Sequence, residues 1–297
     1  MDTKAVAQMI TPELRQWLVA QAESGRSPKD TLEAMKTSGW SEDVAVEAMQ
    51  MVLQAHLTRK LFGVEPAPLT ARAQPAAAAS VGPDIDTSAS PLYVDGGDRR
   101  VGVLAVLNNP RVVVLQGLLS DEECEGLIEA ARPRMQRSLT VQTTTGGEEL
   151  NDVRTSNGMF FNRGESELTR RIEARIARLV RWPVENGEGI QVLQYRPGAE
   201  YKPHYDYFDP AAPGTPTILA RGGQRNGTVV MYLNEPEGGG GTTFPDIGLE
   251  VAPRRGNAVF FAYHRPEPAS RTLHGGAPVV AGEKWIATKW LRERVFT

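Results

Sequence analysis

The chain has 297 residues, enough to bury a substantial core and to carry a smaller module beside it. Its formal net charge of -3 is nearly balanced, so overall charge implies neither a nucleic-acid partner nor an anionic membrane surface. One cysteine, Cys124, excludes an intrachain disulfide and fits a reducing compartment; MDTKAVAQMI lacks a signal-peptide core, no run of about 18 apolar residues marks a membrane span, and a cytoplasmic protein is expected.

Residues 1–62 carry helical spacing. Leu14, Trp17, Leu18 and Ala22 fall on one face, and Ser27-Pro28 reads as an N-cap with proline at the first helical position. Gly39 can end that helix and Ser41 can cap a third, which carries Val44, Ala48 and Val52. The stretch GRSPKDTLEAMKTSGWSEDVAVEAM is similar to ubiquitin-associated-type three-helix modules, which implies a docking partner. The plainer alternative is a helical extension, with His56 on a helix surface. Residues 63–97, rich in Ala, Pro and Ser, read as a flexible linker unable to offset the entropy of ordering.

Residues 98–297 read as the catalytic part. RVVVLQGLL gives a strand, and SDEECEGLIEAARPRM a helix in which Ser120 and Glu123 form a capping box and Cys124 packs inward. ESELTRRIEARIARLV gives a second helix, with Leu168, Ile172, Ile176 and Leu179 on its apolar face. Strands then dominate: IQVLQY, AEYKPHYDYF, GTVVMYLN, NAVFFAY and KWIATKWL. Helices preceding a strand-rich half imply an α+β arrangement, with helices supporting one face of a β-sandwich. Two mobile loops, residues 208–226 as a closing lid and the flexible, glycine-rich 235–241, are expected to control access to the site.

Chemistry concentrates near the C-terminal end. His204 and Asp206 in PHYDYF are two residues apart, so one strand face can present both to a metal. His274 in RTLHGG, followed by Gly275-Gly276, suits a strand end where backbone passes close to a bulky group; His264, in the polar stretch HRPEP, is the weaker candidate. Two imidazoles and one carboxylate on one face of an ion form the facial triad of non-haem Fe(II) oxygenases. Lys284, ten residues after His274, stands where an anionic cosubstrate would need a counter-charge.

From about Pro110 to Arg292 the chain resembles the catalytic domain of prolyl 4-hydroxylases, which are Fe(II)- and 2-oxoglutarate-dependent dioxygenases. Four ordered blocks carry the match: QVLQYRPGAEYKPHYDYF, GQRNGTVVMYLNEPEGGGGTTFP, RRGNAVFF and RTLHGGAPVVAGEKWIATKWLRE. The resemblance implies a double-stranded β-helix of jelly-roll type, with catalytic iron held by His204, Asp206 and His274. It implies that Lys284 pairs with the distal carboxylate of 2-oxoglutarate, that Tyr195 and Thr242 help hold it, and that Trp290 lines the same pocket. Tyr201 and Arg225, and less directly Arg154 and Ser156 in RTSNG, match substrate-side positions. O2 as cosubstrate, L-ascorbate as reductant and a proline-containing protein or peptide as substrate complete the expectation. Two alternatives stand beside it: the same oxygenase chemistry on a free amino acid or other small molecule, and a non-catalytic binding protein working through its N-terminal helices. The intact set of His204, Asp206, His274 and Lys284 argues against the second.

Overall fold

The computed structural model describes residues 12–40, 42, 44–46, 48–50, 52, 53, 56, 82–137, 140, 141, 148, 149, 155–263 and 265–297. Ser41, Arg154 and His264 lie outside the described residues.

The chain divides into two compact units, Met1–Ala79 and Ser80–Thr297. In the first, α1 (Pro12–Glu23) and α2 (Pro28–Thr37) are followed by helical residues at every described position from 42 to 56. Leu18, Met35, Ala45, Ala48 and Val52 bury against one another as a core of its own, with Leu14 and Trp17 packed at its margin. Ala22, expected on the same face, is exposed at the helix end. Ser27 caps α2 as its sequence predicts: its hydroxyl accepts from Asp30 N at 3.1 Å, with Pro28 in the first turn. His56 makes a 3.4 Å contact with Glu23, in keeping with a place on the helix surface.

The second unit starts inside the stretch read as linker, which corrects the boundary at residue 97. Ile85 is fully buried in the main core, Asp84 and the Ile85 carbonyl both receive Arg111, and β1 (Tyr93–Asp95) pairs with β2 (Arg100–Asn108). One large apolar side chain and one ion pair are enough to order a segment whose average composition looks disordered.

Nine strands form the main sheet. After β1 and β2 come β3 (Arg111–Gln116), β4 (Gln136–Arg137), β5 (Asn157–Phe161) and β6 (Ile190–Tyr195). Four more strands, β7 (Tyr201–His204), β9 (Thr242–Phe244), β10 (Leu249–Val251) and β12 (His274–Gly276), build a smaller sheet. The remainder of the main sheet is β8 (Arg225–Tyr232), β11 (Ala258–Ala262) and β13 (Lys284–Arg292). The order is β1-β2-β3-β11-β8-β13-β6-β5-β4 in the main sheet and β10-β9-β12-β7 in the smaller one, with antiparallel pairing throughout. Neither β2 nor β5 was among the predicted strands; a register shift between Val103 and Ala105 interrupts the alternation of β2.

All nine residues of β13 are buried, and its alternation divides them between two layers. Trp285, Ala287 and Leu291 join Leu127 of α3 (Asp121–Ala131) and Ile172 and Ile176 of α4 (Glu167–Val180) on the helix-covered side. Ile286, with Val230 and Tyr232 of β8, packs toward Phe244 and Val251 of the smaller sheet. Helices therefore cover one face of the main sheet and the smaller sheet covers the other. This is the α+β, double-stranded β-helix architecture anticipated, and it leaves the inter-sheet face to form the site. The capping box of α3 is present as expected, and Cys124 behind it is buried, its thiol pushed up to about 11 by burial.

Both loops expected to be mobile are tied down. Gly238–Gly239 pairs with Val279–Ala281, Gly240 N donates to Pro278 O and Ala277 N donates to Gly241 O. In 208–226, Gln224 bonds the Phe208 backbone in both directions at 2.7 Å, and Arg292 donates to Ile218 O at 2.9 Å.

Candidate active site

His204 ends β7 and His274 begins β12, and the two are direct cross-strand partners. Their ring centroids lie 4.4 Å apart. The strand stops at His204, so Asp206 sits in a bend beyond it rather than in the predicted strand, yet it still reaches the same point. Its Oδ1 lies 3.5 Å from His204 Nε2 and its Oδ2 lies 3.5 Å from His274 Nε2. Ligand atoms of all three fall within 4.8 Å of one another, the one such cluster among the described residues.

Close strand packing depends on Gly275. A Cβ there would meet Tyr201 O at 2.8 Å and Pro203 N at 3.1 Å, both of them backbone atoms that cannot step aside. Gly275→Ala is expected to spread β12 from β7 and weaken metal uptake roughly tenfold or more, the scale of disturbances around a metal site, as read by titration with Co(II).

The protonation pattern suits a cation. In both histidines Nδ1 donates to the backbone carbonyl two residues earlier, Lys202 O and Thr272 O, each at 2.9 Å. The second nitrogen, Nε2, is thereby left with its lone pair facing the cluster. Burial pushes His274 down to about 4, so it is neutral at neutral pH. For Asp206, burial alone would raise the carboxyl; His274 and His204 lower it only when they carry a second proton, and the positive charge of Arg225 lowers it throughout. Among the described residues only Thr228 donates a hydrogen bond to this buried carboxylate, at 2.8 Å, while the two imidazole Nε2 atoms, 3.5 Å away, face it with lone pairs. A buried negative charge with so little support fits a divalent cation between the three side chains.

Lys284 opens β13 opposite Tyr195, the last residue of β6. It is 2 % exposed, so the solvated strand-end lysine that is the default at such a position does not apply. Its ammonium forms no hydrogen bond or ion pair among the described residues; the ring of Tyr195 lies 5.4 Å away, and Glu250 acts on it through space. Burial pushes it down to about 8. A Cβ on Gly240 would meet Lys284 Cδ at 3.0 Å and one on Gly276 would meet its Nζ at 3.8 Å, so glycines leave room for the lysine and for whatever it binds.

One open cavity joins these groups. His204, Asp206, His274, Lys284, Tyr195 and Thr242 all line it, together with Tyr201 and Trp290. Leu193, Val230 and Ile286 supply apolar wall. Tyr201 stacks on His204 with centroids 3.6 Å apart.

The other expected substrate residues are placed differently. Arg225 is no surface charge: its guanidinium lies 3.9 Å from the Trp290 ring centre and forms a two-pronged pair with Glu188 at 2.6 and 2.9 Å. Ser156 is fully buried. Arg154 belongs to the stretch outside the described residues. Residues the sequence reading passed over include Thr228, Tyr263, Tyr232 and Glu188. Thr228, Val230 and Tyr232 alternate within GTVVMY, and that period-two pattern on a strand facing His204 was the available signal.

Comparison with known proteins agrees with this geometry. The profile of the 2OG-Fe(II) oxygenase superfamily matches residues 190–292, which contain the whole cluster and Lys284. Prolyl 4-hydroxylase 5 of Arabidopsis thaliana is 41% identical over 221 residues, covering 67% of this chain and 74% of the relative. Prolyl 4-hydroxylase 1 of the same plant is 44% identical over 203 residues, covering 63% and 70%. Among solved structures, the viral collagen prolyl hydroxylase of Paramecium Bursaria Chlorella virus-1, in its 2OG complex, is 32% identical, with a TM-score of 0.47 over 61% of this chain and 95% of that one. With its donor cluster and lysine-ended cavity inside the matched region, the chain belongs to the prolyl 4-hydroxylase family of 2-oxoglutarate- and Fe(II)-dependent oxygenases.

Proposed function

We propose that this chain hydroxylates prolyl residues of a protein or peptide, with Fe(II) and 2-oxoglutarate bound in the cavity. The observation that supports this most is an N,N,O donor set facing the same cavity as a buried lysine that is unpaired among the described residues. When bound, iron and 2-oxoglutarate supply the oxidation: O2 and 2-oxoglutarate are consumed, CO2 and succinate leave, and one oxygen atom enters a C–H bond of the substrate.

The side chains hold and orient. His204 and His274 present Nε2 because their Nδ1 protons are committed to carbonyls, and Asp206 contributes the negative charge that Thr228 keeps in place. Lys284 would receive the distal carboxylate, with the hydroxyls of Thr242 and Tyr195 beside it. Leu193, Val230 and Ile286 exclude water, which strengthens each of these electrostatic contacts. Tyr201 and Trp290 give the cavity aromatic faces of a kind that suits a pyrrolidine ring. Arg225, clamped by Glu188 against Trp290, would support that face from behind. L-ascorbate as the external reductant belongs to this proposal as part of the family's chemistry, and so does the cytoplasm as the compartment, with which a single, unpaired Cys124 is compatible. A protein partner for the N-terminal helical unit belongs to it as well, supported by that unit's separate core.

A pH dependence follows from Lys284. The cosubstrate is a dianion and binds the charged ammonium, which burial leaves titrating near 8 in the free protein. Affinity for 2-oxoglutarate is therefore fully present below that pH and should fall about tenfold per pH unit above it. Calorimetric titration between pH 6.5 and 9.5 checks this; a flat profile would mean that another group receives the carboxylate.

The substrate assignment is tested by offering the enzyme proline-containing peptides and free L-proline in parallel, with product read by mass spectrometry. Oxygen on the peptide's proline, with free proline untouched, is the expected result. Modification of free proline alone would replace this reading by the small-molecule one.

A further inference from the structure

We infer that Tyr232 is a positioning residue for the cosubstrate: it fixes the Thr242 hydroxyl as a donor into the cavity, so that this end of the cavity accepts a carboxylate in preference to an amide. The inference rests on the reading that places 2-oxoglutarate at Lys284.

Tyr232 ends β8 in the main sheet and Thr242 begins β9 in the smaller one. The phenol donates across the gap to Thr242 Oγ1 at 2.8 Å, and both residues are buried. Burial holds this phenol well above its usual pKa, so it remains protonated and a donor at any working pH. A threonine hydroxyl has one proton and two acceptor positions. Tyr232 fills one of the latter, which turns the proton away from the tyrosine. No acceptor among the described residues takes it, while Thr242 lines the cavity together with Lys284.

Chemical selectivity follows from that direction. Lys284 offers only donors, and Thr242, so oriented, adds one more. A carboxylate accepts from both without conflict. A primary amide of the same shape would bring N–H groups against donors and leave one of them unpaired and buried, which is costly. The same device recurs at the metal end. There Thr228 donates to Asp206 and lies 2.9 Å from the Tyr263 hydroxyl; since the Thr228 proton is committed, Tyr263 must be the donor.

The test is calorimetric titration of the full chain, loaded with Mn(II), with 2-oxoglutarate and with its distal amide. The proteins compared are wild type, Thr242→Val and the hydroxyl-retaining Thr242→Ser, each with and without Tyr232→Phe. Wild type should prefer the dicarboxylate. Tyr232→Phe should weaken 2-oxoglutarate binding about tenfold, the upper range for one hydrogen bond, and change amide binding much less. In turnover it should raise KM for 2-oxoglutarate with kcat near wild type. In the Thr242→Val background Tyr232→Phe should cost nothing further, whereas beside Thr242→Ser it should cost its full amount. Unchanged affinity in Tyr232→Phe, or an equal loss in the valine background, would overturn the inference while leaving the cosubstrate site intact. Failure of wild type itself to bind 2-oxoglutarate would overturn the site, and the inference with it.

Discussion

Asp206→Asn is expected to abolish measurable 2-oxoglutarate turnover, a loss on the order of 10³-fold or more, while the protein stays folded. The substitution keeps the shape of the side chain and removes its charge. In a half-dry site a carboxylate and an adjacent cation attract by about 4 kcal/mol per unit charge, which is roughly three powers of ten in affinity or rate. His204 and His274 would remain in place, since each is held by its own backbone bond, to Lys202 O and Thr272 O. Folding should lose slightly, because surroundings that push this carboxyl below its ordinary value favour its charge in the folded state. Titration with Co(II), followed by its visible absorption, combined with a thermal melt would check both halves of this expectation. An Asp206→Asn variant that binds metal as wild type does would show that the cluster is a structural network and not a metal centre.

Lys284→Met carries the second large effect. Methionine fills the buried volume without the charge, so the fold should hold and metal uptake at His204, Asp206 and His274 should persist. The distal carboxylate would then be buried without its cation, a loss of about 3 to 5 kcal/mol. Affinity for 2-oxoglutarate should fall by roughly 10²-fold to a few thousandfold. Lys284→Arg should restore little, because the longer, planar guanidinium would take up the room beside Gly240 and Gly276 that the carboxylate needs. Calorimetry with 2-oxoglutarate on metal-loaded protein separates this from the Asp206 effect. Weak binding with normal metal uptake is the pattern expected of Lys284→Met, and a combined loss of both would place the lysine in the metal site instead.

The parts of this molecule that were legible in its sequence are those written in local periodicity. His204 and Asp206 are two residues apart, Ser120 and Glu123 three apart, and KWIATKWL alternates; each pattern needs only its own neighbours to be read. His274 was legible because Gly275 advertises a close backbone approach, and the structure shows Tyr201 O and Pro203 N in the space a side chain would need. What was not legible depends on contacts far along the chain. Arg225 resembles a surface charge until Glu188, 37 residues earlier, is brought to it. Ile85 lies in a stretch of linker-like composition, yet one apolar side chain meeting the core, with Asp84 meeting Arg111, orders that stretch. The glycines of 235–241 suggested mobility, whereas pairing with Val279–Ala281 ties them down. Thr228 and Tyr232 lay within a recognised strand, but their partners Asp206 and Thr242 sit on the opposing sheet, which strand periodicity cannot see.

The central claim is that iron, 2-oxoglutarate and a prolyl substrate meet in one cavity. Its most direct test is turnover under isotopically heavy O2 with Fe(II), 2-oxoglutarate, ascorbate and a proline-rich peptide, with peptide and succinate both analysed by mass spectrometry. The account predicts one heavy oxygen on a prolyl residue and one in succinate, in equal amounts, and neither with Asp206→Asn. Oxygen in the peptide at wild-type level with Asp206→Asn, or succinate formed with no oxygen ever reaching proline, would contradict it.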